Sequence, residues 1–118
     1  MRTASNDRAH QHLALAWARL DRAEQLARRA ARAEAAPSLW LLAANSILRA
    51  RDALEVIDPT AARTDPGDAC FDGDCQDLVS AAADELANIP ASQEPVGLSL
   101  ARVHLAAAEH EVGGRFWP

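Results

Sequence analysis

Apolar side chains recur at steps of three and four residues in four blocks of this 118-residue chain, with turn signals between the blocks. From about 5 to 35 the stripe is Leu13, Ala16, Trp17, Leu20, Ala23, Ala27 and Ala30, and Arg19, Arg22, Arg29 and Arg32 fall mostly off it. Ser5 is placed to cap this helix through its hydroxyl. Pro37 ends it, because proline lacks an amide hydrogen and disfavours helix at the residue before it.

The second block, about 38–58, has the stripe Trp40, Ala43, Ile47, Ala50, Leu54 and Ile57, widened by Leu41, Ala44 and Leu48. A face that broad belongs to a buried bundle helix rather than to a narrow two-stranded seam. Asp58-Pro59 closes it. After a long loop, a block over 75–88 sets Cys75, Val79, Ala82, Leu86 and Ile89 on one side, and Pro90 stops it. The last block, about 94–112, carries Leu98, Ala101, Leu105, Ala108 and Val112, flanked by Leu100 and Val103. Gly113-Gly114 ends that helix, since glycine enters the left-handed region freely.

No segment alternates with period two, and β-branched residues are sparse. Four one-sided helices predict an all-α, antiparallel up-down four-helix bundle, one domain over 1–112 with an aromatic tail at 113–118. Alanine at many core positions allows close helix axes and leaves Trp17 and Trp40 to fill volume or to line a ligand pocket.

Composition adds charge asymmetry. The net charge is −5, yet residues 2–36 hold seven arginines against four acids, while Asp65–Glu94 holds eight acids and no base. A basic helix beside an acidic one accounts for this, and an acidic total argues against nucleic acid as partner. Lysine and tyrosine are absent, and the alanine and arginine content points to a GC-rich bacterial genome. No apolar run reaches the ~20 residues of a membrane span and no signal-like segment leads the chain, which predicts a cytoplasmic protein with reduced thiols.

The stretch TDPGDACFDGDCQDL (64–78) looks like chemistry and reads best as a turn. As a calcium loop it would put Cys70 and Val79 at ligand positions. As a zinc site it has a lone Cys-x4-Cys pair. A Cys70–Cys75 disulfide is geometrically possible, but the helical pattern turns Cys75 inward. What remains is helix entry: Asp74 as N-cap, Asp77 in the first turn, Asp72 near the helix dipole, Gly67 and Gly73 for tight bends, and Phe71 as an anchor.

If the first and fourth helices lie side by side and antiparallel, His10 and His12 approach His110 and Glu111, a set able to take zinc, nickel or copper. The di-iron bundle pattern is excluded, because the chain contains no Glu-x-x-His. No nucleophile frame or phosphate loop is legible, so no catalytic residue and no cofactor is assigned. The expectation is a non-catalytic bundle acting through a protein partner or a homodimer. The alternative is a small-ligand or metal binder using His10, His12, His110 and Glu111.

Overall fold

A computed structural model describes residues 4–33, 37–64 and 73–113, those at 4–7 and 37 by their backbone alone. Four helices carry the fold: α1 (Ala4–Ala33), α2 (Pro37–Ile57), α3 (Cys75–Ala87) and α4 (Leu98–Val112). Two short 3₁₀ turns, Ala61–Arg63 and Ala91–Gln93, lie in the connections, and no strand occurs among the described residues. The all-α bundle is therefore the fold.

The stripes are the core. Leu13, Ala16, Leu20, Ala23 and Ala27 of α1 meet Ala43, Ala44, Ile47, Ala50 and Leu54 of α2, and all are buried. Leu78, Val79, Ala82 and Leu86 of α3 and Leu98, Ala101, Leu105 and Ala108 of α4 complete the same cluster. Fully burying one such leucine or isoleucine is worth roughly 1.5–3 kcal/mol. Trp17 and Trp40 pack against this cluster from its edge, only partly buried.

Local chemistry sets the ends. At α3, Asp74 accepts from the Asp77 amide at 2.9 Å, and the Asp77 carboxylate accepts from the Asp74 amide at 3.0 Å. This reciprocal box satisfies two donors that helix geometry leaves open. Gly73 precedes it at φ +107°. Ser5 lies inside α1 rather than at its cap. The expected start of the fourth helix at 94 is corrected to Leu98. Pro95 pushes Glu94 into extended backbone (ψ 121°), and Gly97 turns at φ +95° before the helix begins. Gly67, Cys70, Phe71, Asp72, Gly114 and the Phe116–Trp117 tail lie outside the described residues.

Helix order departs from the simplest ring. α1 packs against α2 and α3, and α4 packs against the same two, so α1 and α4 sit across the diagonal. Asp58 at the end of α2 and Glu85 near the end of α3 both reach the start of α1, bonding His10 and His12. Cys75, at the start of α3, reaches back to the Ala23 carbonyl of α1. α2 and α3 thus both run antiparallel to α1. α4 opposes both in turn, with Gly97 against Ile57 and Arg102 donating to the Leu86 carbonyl at 3.1 Å. Neighbours are antiparallel throughout, and the consecutive helices α2 and α3 run parallel across the other diagonal.

Candidate functional site

Polar chemistry gathers where α1 begins and α2 and α3 end. His10 sits part-buried in the first turns of α1, three residues before the buried Leu13. Its Nδ1 lies 2.5 Å from Asp58 Oδ2, and its Nε2 lies 3.1 Å from Thr64 Oγ1. Asp58 is held by a turn of its own: Oδ1 accepts from the Thr60 amide at 3.1 Å and from the Thr60 hydroxyl at 2.6 Å. Burial pushes the Asp58 carboxyl up, but the hydrogen bonds from Thr60 and His10 outweigh it and hold the group below its ordinary value.

The second cluster lies beside it. Glu85 takes His12 Nδ1 on Oε2 at 2.7 Å and the Arg19 guanidinium on Oε1 at 2.6 Å. Burial again works against the charge, and again the bonds from His12 and Arg19 prevail, leaving Glu85 below the ordinary carboxylate value. A hollow of about 450 Å³ adjoins His10, lined by Ala9, Leu13, Ile57, Asp58, Gln93 and Pro95 among others.

The metal set expected from the sequence is not brought together. Its premise was that α1 and α4 are antiparallel neighbours, whereas they are diagonal and parallel. His110 lines a different hollow, with Gln76, Ala106, Glu109 and Gly113. Gln76 and Glu85 stand at opposite ends of α3, about 13 Å of helix rise apart, so His110 is remote from His12. Glu111 turns to α2, where the Ser46 hydroxyl donates to it at 2.9 Å. Among the described residues no three His, Cys, Asp or Glu side chains form a metal-ligand group.

Neither tryptophan lines either hollow. The Trp17 ring instead lies beneath Arg51, which bonds Asp21 at 2.7 Å and reaches Glu24 at 3.4 Å. Cys75 is a buried free thiol that donates to the Ala23 carbonyl, 3.4 Å away. Burial, then the neighbouring Asp74 charge, pushes it up to about 12, so it is inert as a nucleophile.

The His–carboxylate pairs were not foreseen. Their partners are 48 and 73 residues apart in sequence. The available signal was two histidines on one helix start together with acids at two helix ends. Searches against protein-family models, curated proteins and solved structures find no match to this chain.

Proposed function

We propose that this chain is a non-catalytic helical bundle that works by protein contact, and that its first partner is a second copy of itself. One observation carries the reading. Val56, Val96, Leu100 and Val103 are exposed by 83, 98, 56 and 63 %; Val56 lies in the last turn of α2 and the others at or just before the first turns of α4, where Gly97 lies against Ile57. Single exposed aliphatics are ordinary; four at one end of an adjoining helix pair favour an interaction surface.

Charge on the same face favours a copy as occupant. Arg49 and Asp52 lie on the outward side of α2, both exposed. A two-fold axis crossing α2 near residues 50–51 sets each Arg49 against the Asp52 of the other copy and brings Val56 opposite Asn45. Such an interface is self-complementary. The net charge of −5 speaks against nucleic acid as the partner, and no helix among the described residues is long and apolar enough to cross a membrane. A bacterial cytoplasm is the setting this reading assumes.

Light scattering on a sizing column tests it with wild type and Leu100→Glu. A wild-type mass twice the 12.6 kDa of one chain, falling to one chain in the variant, is the expected result. A two-fold interface counts each substitution twice, so the dissociation constant should rise by at least about 100-fold. A wild-type monomer at every concentration overturns the proposal.

A further inference from the structure

Counting hydrogens around His10 gives the charge state its contacts require. An ionised carboxylate only accepts, so Nδ1, facing Asp58 Oδ2, must carry a hydrogen. The Thr64 hydroxyl has a single hydrogen, directed at the Thr60 carbonyl 2.8 Å away. Its oxygen therefore meets His10 Nε2 as an acceptor, and Nε2 must carry a hydrogen as well. Only a ring with both nitrogens donating, an imidazolium, makes all three bonds at once.

We propose that the proton on His10 is a lock. When bound, it fastens the 58–64 segment to α1. When released, it loosens that segment. A neutral ring can keep its bond to Asp58, but Nε2 then turns a lone pair toward the Thr64 oxygen. Either the hydroxyl swings to Nε2 and abandons the Thr60 carbonyl, or the contact opens. One link is lost both ways.

The pair at His12 responds differently. One N–H from a neutral ring satisfies Glu85 Oε2, and Arg19 holds Oε1 regardless. Loss of a proton there leaves each of these bonds in place. The groups facing His10 are Asp58 from the end of α2, Thr60 and Thr64 from the segment after it, and Gln93 from the turn before α4. Asp58 is the charged member of that set, and it is held ionised by Thr60 as well as by His10.

An NMR titration of the whole chain from pH 5 to 9 tests this, following the His10 ring and the backbone amides of residues 60–64. The amides should move with the midpoint of the His10 ring. Above that midpoint, exchange of the Arg63 and Thr64 amides, corrected for intrinsic rate, should quicken by about tenfold or more, the loss of one hydrogen bond to a charged group. Thr64→Val should lower the His10 midpoint, and Thr64→Ser should retain it. Amides at 60–64 that stay fixed while His10 titrates overturn the lock, and so does a Thr64→Val protein with the wild-type midpoint. If Thr64→Val fails to fold, the wild-type titration decides alone.

Discussion

Arg51 lays its guanidinium over the ring of Trp17, its carbon 5.6 Å from the centroid, and so joins the two longest helices through one side chain. The same fork holds Asp21 at 2.7 Å and Glu24 at 3.4 Å, while Glu24 also receives Arg28. A flat, multiply bonded cation on a ring face is a role lysine fills poorly. Arg51→Met should cost about 1–3 kcal/mol, because Asp21 and Glu24 each lose a charge-assisted bond, keeping only Gln25 and Arg28 as partners, and the ring loses its cation. Arg51→Lys should recover less than half of that. Urea denaturation of the two variants measures both.

The capping box at α3 predicts a separate stability effect. Asp74→Ala should cost about 1 kcal/mol, the usual loss for a helix N-cap. Gly73→Ala should cost at least as much, because its φ is +107° and a Cβ there would lie 2.7 Å from Asp77 Oδ2. Melting temperatures of the two proteins check the pair.

Thiol chemistry should separate fold from reactivity. In a Cys70→Ser background, Cys75 should resist a disulfide reagent at pH 8 in the native protein and react fully in urea. Native reactivity would contradict both its burial and a thiol pushed up to about 12.

Acid should destabilise the bundle. Asp58 and Glu85 have folded values below their unfolded ones, so their contribution is complete above the unfolded values and is lost as pH falls through the folded ones. Glu109 runs the other way. Burial and the Asp84 charge raise it, so its contribution is present in acid and is lost as pH rises through its folded value. Urea midpoints from pH 2 to 6 should fall toward acid, and the slope should flatten in Asp58→Asn. An unchanged slope in that variant would remove Asp58 from the account.

Much of the fold was legible because its punctuation is chemical. Pro37, Asp58-Pro59, Asp74 and Pro90 fix the ends of α2 and α3 to within about a residue, and the three-four stripes name the buried side chains. Pro95 and Gly97 carry the same kind of signal for α4, and the expected start at 94 passes over it. Leu41 shows where a stripe is read too wide: it lies on the α2 face but is exposed. The ring order of the helices depends on which broad alanine faces meet, and a connection long enough to run either way leaves that open. For this reason the expected cluster of His10, His12, His110 and Glu111 did not form, while His10–Asp58 and His12–Glu85 did.

Association through the α2–α4 face is the claim on which the functional reading stands, and dilution of a methyl-labelled sample tests it directly. The account predicts that methyl signals of Val56, Val96, Leu100 and Val103 shift together as the chain is diluted, while those of Leu20 and Leu78 in the core stay in place. Spectra that do not change with concentration, at the tumbling rate of a single chain, would contradict it.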